Sequence, residues 1–333
     1  MAMLLINHIT PIIKSQYKLN TQHCSMNKIE VLNSKLSAIT NEKYPIDLTS
    51  GKMGLCIYFY YLSRWEKNDE YTKVAEKLLN DVINLLSDKM EINVENGLAG
   101  IALGISHLVK EKYVTGDINE ILEDVDSRIY KSLAFLSSED SRYPKPSLLH
   151  LLYYLYIRYT EQINPDSHYI FRELIIKIIE MFCKDLKTDF FNERFSFSLQ
   201  NYLSPLFLYM VSKLYEIKTY EDRINRILDE VWNLIASPLP ILQSNRLYLL
   251  WGLLHIKPYI PKYQNEIAHR LRILKDNIDI ENILNIEMKN QDIYLINGVS
   301  TIYILLFSIQ VKFPAYKIDY DPQVLRLYNE SCG

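Results

Sequence analysis

Glycine is scarce in this chain, with nine residues in 333. A glycine inside a helix costs about 0.5–1 kcal/mol relative to alanine, so where several fall together a close approach to that face is implied. Cysteine is scarcer still. The four present (Cys24, Cys56, Cys183 and Cys332) lie far apart with no CxxC or Cys/His pairing, which excludes a disulfide framework and points to free thiols in a reducing compartment. A surplus of one charge is missing as well. With a net charge of −3 and no long basic run, bulk electrostatics favour neither nucleic acid nor an anionic membrane. No apolar run reaches the roughly 18 residues of a membrane span. The Met3-Leu4-Leu5-Ile6 run is too short for a signal-peptide core and lacks a basic flank and a cleavage site, so a cytoplasmic protein is expected. Alternating period-two runs with hairpin turns are also lacking, which excludes a β-rich fold.

What remains is helical. Gly51-Lys52-Met53-Gly54, Gly97-Leu98-Ala99-Gly100 and Gly298-Val299 each open a long, almost wholly apolar stretch. Between such stretches lie amphipathic ones, for example Tyr71 to Ser87 with Val74, Leu78, Val82 and Leu85 on one face and Lys73, Glu76 and Lys77 on the other. Asp117 with Glu120 resembles a capping box opening another. Aligned on their starts, the apolar helices begin at Gly51, Gly97, Ser147, Asn201, Arg246 and Gly298, separated by 45 to 54 residues. Six helix pairs at this period, each with one helix apolar all round, predict an all-α (α/α)6 barrel, a double ring of inner and outer helices. An irregular segment is expected over residues 1–24, the barrel over 25–312 and a tail over 313–333.

The repeated Gly-x-x-Gly starts and the run Asn96-Gly97-Leu98-Ala99-Gly100-Ile101 resemble the lanthionine synthetase C-like (LanC-like) family. The resemblance implies an (α/α)6 barrel and, in the family's cyclases, a zinc ion at the mouth formed by the inner-helix starts. That ion is held by a cysteine of a Trp-Cys-Tyr-Gly motif and a Cys-His pair of a Cys-His-Gly motif, and it activates a peptide cysteine for addition to a dehydrated serine or threonine. Here Ser244-Asn245-Arg246 stands where the family has Cys-Tyr-Gly, and Ile296-Asn297-Gly298 where it has Cys-His-Gly. A family histidine would fall near Gln200. Isoleucine offers no donor, and neutral oxygens replace thiolate and imidazole poorly on zinc. The resemblance therefore implies the scaffold and a peptide-handling context with no metal and no cofactor. The implied partner is a peptide substrate or a peptide-modifying enzyme of a lanthipeptide-like pathway.

The residues themselves add two candidate sites. Polar side chains ahead of the inner helices would meet around one mouth, with Asn96, Gln200, Ser244, Asn245 and Asn297 as the binding set. The bland reading is that Asn96, Ser244 and Asn297 are helix N-caps. Alternatively Glu95 with Asp292 or Asp47 would be the working carboxylates of a metal-independent glycosidase or lyase. The acidic run Glu123-Asp124-Val125-Asp126 reads as a solvated helix face, and His107, His150 and His255 as hydrogen-bonded core histidines.

Overall fold

The computed structural model describes residues 44–49, 51–87, 89–135, 145–162, 164–184, 191–192, 197, 202–236, 238–288 and 299–319. Residues 1–43, which include the irregular segment expected over 1–24, lie outside the described residues. Helices α1 (Lys52–Glu66), α2 (Asp69–Asn84), α3 (Leu98–Lys110), α4 (Ile118–Ala134), α5 (Lys145–Glu161) and α6 (Pro165–Lys184) are followed by α7 (Ser204–Glu216), α8 (Glu221–Ala236), α9 (Gln243–Ile256), α10 (Gln264–Asp276) and α11 (Val299–Lys312). One turn at Ile280–Asn282 runs into a π-helical Ile283–Glu287 before α11. Among the described residues there is no strand. The chain forms two compact units, residues 1–140 with 157–168 and residues 141–156 with 169–333.

The alternation of apolar and amphipathic helices holds in each unit. In α9, Leu247, Leu249, Leu250 and Leu253 are all fully buried, as a helix apolar all round requires. In α8 the buried residues Ile224, Ile227, Leu228, Val231, Trp232 and Ile235 keep a helical period, and Glu221, Asp222, Arg226 and Glu230 face water. Each fully buried Leu or Ile contributes about 1.5–3 kcal/mol of transfer free energy, so these faces decide the packing.

Ring contacts give the helix directions. In the second unit Tyr202 meets Tyr248, Tyr209 stacks on Trp251 at 4.8 Å, and Tyr215 stacks on Tyr259 at 5.8 Å, so α7 and α9 run parallel. Trp251 Nε1 donates to Ser308 Oγ (3.0 Å) and His255 packs on Phe313, which sets α11 parallel to α9. Tyr153 on Tyr209 and Tyr156 on Glu216 do the same for α5 and α7. In the first unit Tyr61 with His107, and Arg64 with Glu111, make α1 and α3 parallel.

Helix ends explain where the boundaries fall. Asp117 caps α4 as the sequence predicts, its side chain accepting from the Asn119 N–H (2.8 Å). Asn68 caps α2 in the same way, so that helix opens at Asp69 and not at Tyr71. Helix α7 opens at Ser204, later than the Asn201 start aligned from the sequence, with Pro205 in its first turn, where a missing N–H leaves no bond unmade. Three connections leave their helices through a lysine in the left-handed region, Lys67 (φ 53°), Lys112 (φ 60°) and Lys218 (φ 52°).

Candidate functional site at the inner-helix starts

The glycine repeat is the first device of the site. Gly51 (φ −116°, ψ −169°) and Gly97 (φ −119°, ψ −170°) precede α1 and α3 with the same backbone conformation. The next residue donates its N–H to the carbonyl seven positions back in both cases, Lys52 to Pro45 (2.7 Å) and Leu98 to Glu91 (2.9 Å). This folds the preceding loop over the helix start and satisfies one of the donors that a helix leaves unpaired there. A Cβ at Gly51 would stand 2.5 Å from the Pro45 carbonyl oxygen, and one at Gly97 would stand 2.4 Å from that of Glu91. The glycines thus make room for their own loop, which is the backbone contact that their spacing implies.

The loop residues carry the first unit's candidates. Asp47 is buried, and its carboxylate accepts from the Thr49 N–H (2.9 Å) and hydroxyl (3.2 Å). The Thr49 hydroxyl also donates to the Glu95 carbonyl (3.0 Å), so Thr49 joins the loop of one repeat to the loop of the next. The Glu95 side chain is half-buried. Asn96 is exposed, and its N–H donates to Asn93 Oδ1 (3.0 Å). The residue that caps α3 is Gly97, so Asn96 is not the N-cap of the bland reading, and its side chain is left facing solvent. Lys52, fully buried at the start of α1, pairs with Asp81 of α2 at 2.6 Å.

In the second unit Ser244 and Asn245 are both buried in the first turn of α9. Leu242 occupies the N-cap position, and the helix is capped from outside by Glu287. One carboxylate oxygen of Glu287 accepts the Gln243 N–H (2.7 Å); the other accepts the Ser244 N–H (2.9 Å) and hydroxyl (2.5 Å). A carboxylate at this place is favoured twice, by unpaired N–H groups and by the positive end of the helix dipole. Arg246 braces the same turn, donating to the carbonyls of Pro240 (2.7 Å), Asn277 (3.0 Å) and Ile241 (3.1 Å). Sequence reasoning missed Glu287, because it lies 43 residues from Ser244 in a π-helical turn without apolar period. Gln200, Asp292 and Asn297 lie outside the described residues.

The donor set at Ser244 does not fit a zinc ligand. Its hydroxyl proton is given to Glu287, and that carboxylate is itself taken up by two backbone N–H groups at the positive end of the helix. Ile296 and Asn297 fall outside the described residues, and among those described no group of three or more His, Cys, Asp or Glu could hold a metal ion. Glu287→Ala is expected to lower stability by about 2 kcal/mol, and Ser244→Ala by about half as much, in urea unfolding. Equal losses would show that the hydroxyl, and not the helix N–H groups, carries the contact.

The repeated glycine starts fall where a known family is matched: residues 42–195 match the model described as lanthionine synthetase C-like protein. Over that segment, a little under half of the chain, the protein is similar to the LanC-like family. No curated protein matches the chain. The described residues are all-α, which is consistent with the helical barrel of that family. The matched segment carries both glycine loops, α1 to α6 and Asn96, and it ends before Ser244, Ile296 and Asn297. Among the described residues no helix is long and apolar enough to cross a membrane.

His107 is buried, shares a 2.8 Å hydrogen bond with the Tyr61 hydroxyl, and is pushed down to about 4 by burial and then by Lys110, which makes it a neutral core residue. His255 is buried with Nδ1 2.9 Å from the Trp251 carbonyl, and His150 is buried as well. Of the acidic run, Glu123 and Asp124 are exposed as a solvated face should be. Asp126 departs from that reading. It accepts from Nε (3.1 Å) and Nη2 (2.7 Å) of Arg158, a guanidinium with no exposed surface.

Proposed function

We propose that this LanC-like chain binds a peptide, or a peptide-modifying enzyme, in a lanthipeptide-like maturation pathway without zinc-dependent cyclisation. The exposed Asn96 is the residue assigned to direct contact; Ser244 and Asn245, which have no exposed surface, shape the start of α9, and Gln200 and Asn297 complete the set expected from the sequence. One observation carries the reading. Where the family's cyclases place a thiolate ligand, Ser244 is bonded to a carboxylate of its own chain, while the glycine loops of the scaffold are kept in detail. An exposed amide such as that of Asn96 suits peptide backbone, which presents one donor and one acceptor per residue. The use of Asp47 by Thr49 speaks against the competing glycosidase reading, since a working carboxylate needs its oxygens free for the sugar.

The test is fluorescence anisotropy of a labelled linear peptide containing dehydroalanine and cysteine, with mass spectrometry of the same mixture. Binding without cyclisation is expected, and Asn96→Ala should weaken it by about fivefold, the worth of roughly one hydrogen bond. If this variant bound as the parent does while Glu95→Gln abolished hydrolysis of an aryl glycoside, the carboxylate reading would replace this one.

A further inference from the structure

Gln243, at the start of α9, joins two loops that carry exposed apolar side chains. Its N–H donates to the Glu287 carboxylate (2.7 Å), and its side-chain oxygen accepts the Asp279 N–H (2.6 Å). Two residues before Gln243 stands Ile241, 72% exposed, and one residue before Glu287 stands Ile286, 68% exposed. Leu239 is exposed as well. Both loops are held in place. Pro238 and Pro240 fix the backbone on either side of Leu239, and the Arg246 guanidinium takes the carbonyls of Pro240 (2.7 Å), Ile241 (3.1 Å) and Asn277 (3.0 Å). In the other loop Ile283, Leu284 and Met288 are buried and anchor the π-helical turn, so the core does not need Ile286. Single exposed hydrophobic residues are ordinary. Three on fixed backbone around one glutamine mark a surface that another molecule covers.

The same rim is acidic. From Asp276 to Met288 the chain carries four carboxylates, Asp276, Asp279, Glu281 and Glu287, and no lysine or arginine; Arg272 and Lys275 precede this run and Lys289 follows it. Glu287 is taken up by the start of α9, and one oxygen of Asp279 accepts the Glu281 (2.9 Å) and Asn282 (3.2 Å) N–H groups. Asp276 and Glu281 are exposed, and neither forms an ion pair among the described residues. Two copies pairing about a two-fold axis through this rim would set its carboxylates against themselves, and an anionic membrane or a nucleic acid would be repelled. Charge complementarity selects a partner that brings basic and apolar side chains together. We propose that the rim of α9 formed by Leu239, Ile241 and Ile286 docks a peptide segment in which lysine or arginine is interspersed with large aliphatic residues. This rests on the reading of the chain as a peptide-binding protein and names the class of sequence taken at this rim. The aliphatic side chains of the segment cover Ile241 and Ile286, which supplies affinity. Its basic groups, carried on long stems, meet Asp276 and Glu281, which supplies selection and speeds encounter.

The experiment measures fluorescence anisotropy of the full chain with three labelled synthetic peptides of equal length, built from lysine and leucine, from glutamate and leucine, and from lysine and serine. The lysine–leucine peptide is expected to bind about tenfold tighter than either of the others. Ile241→Ser combined with Ile286→Ser should weaken it by about tenfold, with an unchanged circular dichroism spectrum because both side chains already face solvent. Asp276→Lys combined with Glu281→Lys should reverse the preference in favour of the glutamate–leucine peptide, which a merely adhesive surface would not do. Equal binding of the three peptides, or binding of the lysine–leucine peptide unchanged in either double variant, overturns the proposal. So does a dimer of the parent in sedimentation that Ile286→Ser dissociates, since the occupant would then be a second copy. The two readings fail separately. If the dehydroalanine–cysteine peptide responds to Asn96→Ala while the lysine–leucine peptide ignores both double variants, peptide maturation stands and this rim falls. If the lysine–leucine peptide responds and the dehydroalanine–cysteine peptide does not bind, the rim stands and the maturation reading falls.

Discussion

Arg158→Ala is expected to destabilise the first unit by about 3–5 kcal/mol, because it strands two part-buried carboxylates. Arg158 has no exposed surface, and Asp126 and Glu161 are 15% and 17% exposed. The guanidinium meets Asp126 side-on through Nε and Nη2, gives Nη1 to Glu161 (2.7 Å) and shares Nη2 with Asn119 (3.0 Å). Glu161 is held in turn by the Ser106 hydroxyl of α3. One fork therefore ties the end of α5 to α4 and, through Glu161, to α3. Lysine has a single donor centre and cannot reproduce that geometry, so Arg158→Lys should recover only part of the loss. Urea unfolding of Arg158→Ala, Asp126→Ala and the double variant measures the coupling. A single-variant loss below about 1 kcal/mol, the value typical of a surface pair, would mean that the cluster is solvated and not structural.

The second large effect separates two glycines four residues apart. A Cβ at Gly100 would lie 2.0 Å from the Val94 carbonyl oxygen, which belongs to the loop folded over the start of α3. Backbone held by its own hydrogen bonds cannot retreat, so Gly100→Ala is expected to cost about 3 kcal/mol or more. At Gly104 the obstacle is the side chain of Met53, whose Cγ and Cε both stand at 2.7 Å. Methionine has three rotatable bonds and repacks, so Gly104→Ala should cost about 1 kcal/mol, part of it returned by the better helix propensity of alanine. Thermal unfolding of the two variants decides the matter. Equal shifts would show that the loop of residues 91–97 yields as readily as a side chain.

Fold class was legible because its determinants are local. Helical period, capping residues such as Asp117 and the unusual Gly-x-x-Gly starts all act within a few residues of one another. The starts of α1 and α3 agree down to the carbonyl seven positions back, and that agreement is visible in sequence as a repeat. The polar interior was not legible, for the opposite reason. Asp126 and Arg158 are 32 residues apart, Lys52 and Asp81 are 29 apart, and Ser244 and Glu287 are 43 apart. Each pair joins different helices or turns, so no window of the sequence contains both partners. Asp126 also shares its helix with the exposed Glu123 and Asp124, which disguises it as one more surface acid. The signal available was Arg158 itself, a cation inside the apolar run from Leu148 to Tyr159 that requires a buried counter-charge.

The left-handed lysines at the helix exits bear on how the chain can be re-engineered. Lys67, Lys112 and Lys218 occupy a backbone region where a side chain costs roughly 1 kcal/mol and glycine costs nothing. Glycine has been placed at helix beginnings, where a loop must pass close, and withheld from helix endings, where it would relieve strain. These exits are therefore open to thermostabilising replacement without disturbing either the glycine loops or the Glu287 cap. A variant with glycine at all three is expected to melt at a higher temperature than the parent.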